Sequence, residues 1–435
     1  MKTTGKTILQ RLMAIALIFA LLLLPLSASA KPSKAGDIWD GSIAEGFSGG
    51  SGDESDPYLI STAEELAFLA DSVNRGALYE GKHFILTNDI FINDVSDFES
   101  WGSPNGAEGI IEPANTWTPI GNYDTFEWEG CAFNGIFDGA GHAIHGIYIN
   151  RTSADNSSSW QGLFGLSEGG VIKNVGVVDS FIYGYYAIGA IVGQNDGGSV
   201  INCYSTGKVG SSYYYGGGIA GSNCNEAIVS GCYSTCDIDG AYTAGGVVGG
   251  NNIQSIVENC YSTGNVSGDG YTAGIVGSND AEVSNCYSVG NVSDGFANGS
   301  AIGSNQGTLT GIYYLEGTFP GLNEYGVELS HAQMQQAESF YGFDFDNIWT
   351  MDGNPAYGYP ELSANTHLHN DVGALPGDTN GDGIISAMDA LLALRCAMSL
   401  ETLDPEAFAN ADMDNDGDVT AFDALLILRA ALADG

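Results

Sequence analysis

The chain has 435 residues and carries 53 acids against 12 lysines and arginines, a formal charge of −41. A surface that acidic repels nucleic-acid phosphates and anionic membranes, and suits divalent cations or neutral polymers. Its 63 glycines follow no collagen period and ask for many tight turns.

The stretch MKTTGKTILQRLMAIALIFALLLLPLSASA carries Lys2, Lys6 and Arg11, an apolar run, and Ala-Ser-Ala ending at Ala30. This pattern predicts a secretory signal peptide over residues 1–30, so the protein is expected to be secreted. Removing it leaves 12 − 3 = 9 bases and a charge of 9 − 53 = −44. No other segment approaches the roughly 20 apolar residues of a membrane span. Eight cysteines in an exported chain raise the question of disulfides. Here they are spread through a long chain that can build its own core.

Near Ser61 the sequence SDPYLISTAEELAFLADSV pairs Ser61 with Glu64 in a capping-box pattern. This predicts one short helix over 62–73, placed to cover an open strand edge. From Gly162 to Phe319 the chain lies in six similar rows, among them GAIVGQNDGGSVINCYSTGKVGS and GGVVGGNNIQSIVENCYSTGNVSG. The row-to-row spacing of Cys203, Cys232, Cys260 and Cys286 is 29, 28 and 26 residues. Each row holds short β-type runs between Gly, Asn, Asp and Ser, and none holds a helix-length amphipathic stretch. A repeat of this length without a helix predicts a parallel β-helix, one row per coil; propeller blades need about 40 residues or more.

Two columns of the rows carry the chemistry-bearing side chains. The cysteine column reads Val175, Cys203, Cys232, Cys260, Cys286 and Ile312. Because valine and isoleucine substitute for cysteine, an inward core ladder is expected rather than a zinc site or disulfides. The next column reads Gly176, Tyr204, Tyr233, Tyr261, Tyr287 and Tyr313 and should face the opposite way. Tyr204, Tyr233, Tyr261 and Tyr287 are therefore candidate sugar contacts on an exposed face, with a self-stacking structural ladder as the alternative.

These rows resemble the GLUG repeat of Gram-positive secreted and surface proteins. The resemblance extends to FILTNDIFIN and FNGIFDGAGHAIHGIYIN before the rows and to LSHAQMQQAESFYGFDFDNIW after them. It implies a β-helix over 37–362, with an opening segment at 37–150, repeat coils at 162–319 and a closing segment at 320–362. A polar linker at 363–376 follows, in which His367 and His369 read as solvated.

The C-terminal stretch holds two copies of one pattern, GDTNGDGIISAMDALLALR and ADMDNDGDVTAFDALLILR. The spacing is that of a 12-residue calcium loop, with oxygen ligands at positions 1, 3, 5, 7, 9 and 12. The first set is Asp378, Asn380, Asp382, Ile384 through its carbonyl, Ser386 and Asp389. The second is Asp412, Asp414, Asp416, Asp418 through its carbonyl, Thr420 and Asp423. Two calcium ions are expected, each loop leading into a helix at about 388–399 and 422–433. This duplication of half EF-hands over 377–433 resembles the type I dockerin, which binds cohesin modules on a scaffold. The resemblance implies cohesin contacts at Ala387, Met388 and Arg395 in one copy and Ala421, Phe422 and Arg429 in the other.

The sequence thus reads as mainly β with a small all-α calcium-binding domain. Its function reads as a secreted, cellulosome-type component whose β-helix binds polysaccharide or a surface. The alternative is a polysaccharide lyase or glycoside hydrolase on the same β-helix. Its bases there (Arg75, Lys82, Arg151, Lys173 and Lys208) stand beside no acid cluster, and FDGAGH, with Asp138 and His142, is the one hydrolytic candidate. No catalytic residue is assigned.

Overall fold

The structure is a computed structural model. It describes residues 38–364 apart from 103–108, 123–130, 155, 241, 294–296, 320–324 and 352–357, and then 377, 379, 387–398, 410–411, 413 and 419–433. The predicted signal peptide and most of the predicted linker lie outside the described residues. The chain forms two compact units, one holding 33–353 and 358–368, the other holding the C-terminal residues 369–435.

The larger unit is a parallel β-solenoid of about eight turns. Corresponding strands of successive coils pair in parallel, in unbroken register along Val171↔Ser199↔Ile228↔Ile256↔Glu282↔Thr308 and with one shift between Ser205 and Gly207 where Tyr204–Ser211 meets Gly176–Gly184. The stack begins before the six rows, because Tyr58–Ile60, His83–Leu86 and Ile136–Asp138 pair in turn and lead onto Val171–Lys173. Two further sheets close the coil's cross-section. One runs from Ala187–Gly189 to Ala297–Gly299, the other from Phe164–Glu168 to Ile302–Asn305.

The recurring NCY and GCY words follow from backbone geometry. The residue before each cysteine turns the chain in the left-handed region: Asn202 at φ 51°, Gly231 at 64°, Asn259 at 51° and Asn285 at 51°. Glycine and asparagine adopt that conformation at low cost, and the column is filled by these two alone. The following side chain enters the core, where Val175, Cys203, Cys232, Cys260 and Cys286 are fully buried and Ile312 nearly so. All eight cysteines are free thiols.

The interior also carries a polar spine that links one coil to the next. Asn195, Asn223, Asn251, Asn279 and Asn305 occupy one column, and each amide donates to the carboxamide oxygen of the next, at 2.9, 3.0, 2.9 and 2.7 Å. A buried amide left unpaired would cost about 1–3 kcal/mol. The ladder satisfies that demand for all but its terminal Asn195 Oδ1, and it ties the five coils from Asn195 to Asn305 in register.

The helix Ala63–Asn74 packs Leu66, Leu69, Ala70 and Val73 into the core at one end of the stack. Its N-cap is Thr62, one residue later than the sequence pattern suggested. Ser61/Glu64 and Thr62/Glu65 both fit the capping-box spacing. The helix phase buries Glu65, whose carboxylate accepts from the Ser61 N–H at 2.7 Å and the Ser61 hydroxyl at 2.8 Å.

Candidate functional sites

The tyrosine column is covered, which corrects the expectation of an exposed sugar-binding face. Tyr204, Tyr233, Tyr261 and Tyr287 are only 8, 3, 3 and 0 % exposed. Their rings stack coil upon coil, 5.2, 5.0 and 5.1 Å apart and within 12° of parallel. The column starts with Gly176 for a steric reason: a Cβ there would lie 2.2 Å from the Tyr204 ring. Over the last rungs lies the closing segment. Trp349 sits 6.1 Å from Tyr261 and 5.9 Å from Tyr287, and Phe340 sits 5.9 Å from Tyr287. Trp349–Thr350 and Glu361–Leu362 pair as a short antiparallel ribbon. Alternation along the strand points these rings out of the coil, and a segment over fifty residues downstream in sequence covers those of Tyr261 and Tyr287.

The hydrolytic candidate is engaged in structural contacts. Asp138 pairs with Lys173 at 3.1 Å and accepts from the Asn174 amide and the Ala140 N–H, each at 2.9 Å. Burial pushes its carboxyl up, but those donors outweigh burial and hold it below the ordinary carboxylate value. A general acid needs the opposite shift. His142 turns to a different carboxylate, Asp89, at 3.0 Å.

In the C-terminal unit, helices Ala387–Ala397 and Ala421–Ala433 pack around Ala390, Ala393, Ala411, Ala424 and Ile427. Asp389 and Asp423, the last ligand position of each predicted loop, sit in the first helical turn and are fully buried. Asp423 accepts the N–H of Met413 at 3.0 Å and both the N–H and hydroxyl of Thr420 at 2.8 Å. The Thr420–Asp423 pair is thus half of a capping box, with the carboxylate reaching back to the cap. Burying a carboxylate is costly unless charge and hydrogen bonds compensate, and an acid at this position suits a hard cation.

Asp378, Asn380, Asp382, Ile384, Ser386, Asp412, Asp414, Asp416 and Asp418 lie outside the described residues. Among the predicted partner contacts, Arg395, Ala421 and Phe422 are exposed and Arg429 is half-buried. Ala387 and Met388 open the first helix.

The sequence also holds a second set of tyrosines, of which Tyr213 and Tyr242 are exposed and Tyr185, Tyr186, Tyr214, Tyr215 and Tyr271 are half-buried. They sit at the corner that precedes the strands Ala187–Gly189, Tyr215–Gly217, Thr243–Gly245 and Tyr271–Ala273. The signal was present as YGYYAI, SYYYGG, AYTAGG and GYTAGI, which align once the rows begin one corner earlier.

Comparison with known proteins agrees with this architecture. Residues 376–431 match the Dockerin type I domain, and residues 184–210 and 240–267 match the GLUG motif. A protein of Evansella cellulosilytica described as a Gly-rich membrane protein is 34% identical over 153 residues, covering 34% of this chain and 14% of its own length. Halomucin of Haloquadratum walsbyi is 29% identical over 157 residues, covering 36% of this chain and 1% of its own. The chain therefore spans only a small part of both relatives. A crystal structure from Bacteroides ovatus, described as an immunoglobulin A1 protease, matches with a TM-score of 0.52 at 24% identity, over 73% of this chain and 95% of the other. That likeness concerns the fold alone. The chain carries a type I dockerin at its C-terminus and GLUG motifs within a β-solenoid. Type I dockerins bind calcium and attach proteins to cohesins, typically in extracellular cellulosomes. Among the described residues, no helix is long and apolar enough to cross a membrane.

Proposed function

We propose that this protein is a secreted component of a cellulosome-type assembly, held on a cohesin by a dockerin that takes two calcium ions, with a β-solenoid that binds polysaccharide. The observation that supports it most is the pair Asp389 and Asp423, each fully buried at the head of a helix that follows a calcium-type loop. In this reading Asp378, Asn380, Asp382, Ser386 and the Ile384 carbonyl hold one ion with Asp389. Asp412, Asp414, Asp416, Thr420 and the Asp418 carbonyl hold the other with Asp423. The ions supply the positive charge that lets these acids converge, so they act on folding and docking rather than on a reaction. Cohesin then meets Ala387, Met388 and Arg395, or Ala421, Phe422 and Arg429.

Size-exclusion chromatography of the exported protein with a panel of cohesins tests the attachment. Co-elution in calcium that is lost in excess chelator is the expected result. Co-elution that survives the chelator would overturn the calcium dependence, and calcium titration by calorimetry should return two sites per chain.

A further inference from the structure

We infer that the exposed tyrosine corner of the solenoid is a binding platform for a neutral polysaccharide chain; this rests on the polysaccharide-binding reading above. Two ring columns build it. Tyr186, Tyr214 and Tyr242 stack on consecutive coils, 5.7 and 5.0 Å apart, and Tyr185 stacks on Tyr213 at 4.8 Å and 8°. The backbone fixes their register, because Tyr215 N–H donates to the Tyr186 carbonyl, Thr243 N–H to that of Tyr214, and Tyr271 N–H to that of Tyr242.

Each column ends on an accessible ring. Tyr213 is 50 % exposed and Tyr242 is 39 % exposed, two of the largest aromatic exposures on the solenoid. Beyond Tyr242 the next coil continues with Gly270, where an added Cβ would lie 2.1 Å from the Tyr242 carbonyl oxygen, so no further ring extends the column. Tyr271 instead stands at 89° to Tyr242, 5.7 Å away, and makes a wall beside it. The result is a stepped aromatic surface.

Three observations select the occupant. First, every ring in the two columns carries a hydroxyl, which donates and accepts. A sugar ring presents an apolar C–H face bordered by hydroxyls and matches that combination. Second, the local field is negative. The carboxylates of Asp239 and Asp280 are near enough to Tyr183 and Tyr215 to oppose their ionisation, after the larger effect of burial. With a chain charge of −41, that field disfavours pectate, nucleic acid and other polyanions. Third, no Met or Arg, which enrich protein-binding surfaces, lies in the stretches 183–186, 211–216 and 242–243; Ser212 is exposed beside the rings, and Gly184, Ser211, Gly216 and Thr243 are buried beneath them.

The test is affinity electrophoresis of the full exported chain, in calcium buffer, through native gels containing xylan, xyloglucan, galactomannan or hydroxyethyl cellulose, with polygalacturonate as the polyanion. The variants are Tyr213→Ala/Tyr242→Ala and Tyr213→Trp/Tyr242→Trp, checked for an unchanged unfolding midpoint; if the alanine pair lowers it, the two single variants are read instead. The expected result is that at least one neutral glycan retards the wild type, that the alanine pair weakens this about tenfold or more, and that the tryptophan pair preserves it. Equal retardation of wild type and alanine pair would overturn the corner while leaving polysaccharide binding intact. Retardation by polygalacturonate alone would overturn the neutral ligand. A wild type retarded by no glycan would overturn the polysaccharide reading and the corner with it.

Discussion

The hydroxyl of Tyr287 donates to the carbonyl of Pro360 at 2.6 Å, a bond that ties the fifth rung of the tyrosine column to a residue 73 positions later. It marks where the closing segment leaves the end of the stack and lies along its flank. Trp349, which is buried, packs on Tyr287 and Phe343 in the same cover. Trp349→Ala should therefore destabilise the solenoid by about 3–5 kcal/mol, the usual cost of emptying a buried aromatic site. Tyr287→Phe should cost about 1 kcal/mol, the worth of one hydrogen bond. Denaturant titration distinguishes the two, and a Trp349→Ala loss below 1 kcal/mol would mean that the segment is not part of the cooperative fold.

The cysteines give a chemical readout of the core. Cys203, Cys232, Cys236, Cys260 and Cys286 are buried, while Cys131, Cys224 and Cys396 are partly exposed. A thiol reagent should reach only the latter three in the native protein and all eight after denaturation without reductant. Burial, helped by Asp196, pushes the Cys224 thiol up to about 11. Its reaction rate should climb about tenfold per pH unit towards that value, because the thiolate is the nucleophile. Failure to recover eight thiols on denaturation would show a disulfide and refute the free-thiol core.

The same burial makes a prediction about alkaline stability. Burial raises Cys203, Cys232 and Cys260 well above the ordinary thiol value, and Tyr233 well above the ordinary phenol value. The folded state keeps these protons where the unfolded chain releases them, so stability is full below the unfolded thiol value of 9.0 and falls as pH rises above it. Urea midpoints at pH 7 and 8 should agree, and those at pH 10 should be clearly lower. A midpoint that rises between pH 9 and 10 would contradict the buried ladder.

How much of this the sequence disclosed depends on how local the cause was. The repeat length, absence of helix and Val–Cys–Ile exchange in one column are facts about single rows, and they led to the coil and its core. Which strand face points outward was legible too. What covers that face was not, because Trp349 and Pro360 reach Tyr287 from outside the repeats. The exposed corner at Tyr213 and Tyr242 went unread because it falls where one row was cut from the next. The helix cap moved from Ser61 to Thr62 because two overlapping patterns fit and only packing of Glu65 chose between them. In the dockerin, the acid spacing pointed to the domain that the match over 376–431 shows, because calcium dictates ligand positions more strictly than packing dictates core residues. Of the expected ligands, only Asp389, Thr420 and Asp423 lie among the described residues.

The turn column allows a test by a single atom group. Asn259 holds φ 51° before Cys260, where the preceding coil uses Gly231 at φ 64°. Asn259→Gly should be nearly neutral, and Asn259→Val should cost about 1–3 kcal/mol because a β-branched residue is strained there. Equal midpoints for the two variants would show that the conformation is not what selects asparagine.

The dockerin provides the last prediction, and electrostatics sets its direction. Asp389 and Asp423 are fully buried, and each is preceded in sequence by further acids, Asp378 and Asp382 in one loop and Asp412, Asp414 and Asp416 in the other. Bringing those carboxylates together without a dication sets like charges against each other at short range, so ion binding and folding of this unit should be a single equilibrium. At a free calcium concentration one hundred times the dissociation constant, each site adds about 2.7 kcal/mol. Scanning calorimetry of the full chain should therefore show a transition that moves to higher temperature with calcium and is lost in chelator, beside a solenoid transition that does not move. Asp423→Asn keeps the shape of the side chain and its acceptor for the Thr420 N–H, but removes a charge. It should weaken calcium binding at the second loop and leave the solenoid transition in place. Asp389→Asn/Asp423→Asn should abolish the calcium-dependent shift altogether. A C-terminal transition that is the same in calcium and in chelator would show that the buried carboxylates are balanced within the protein itself, and the calcium-coupled reading would fall.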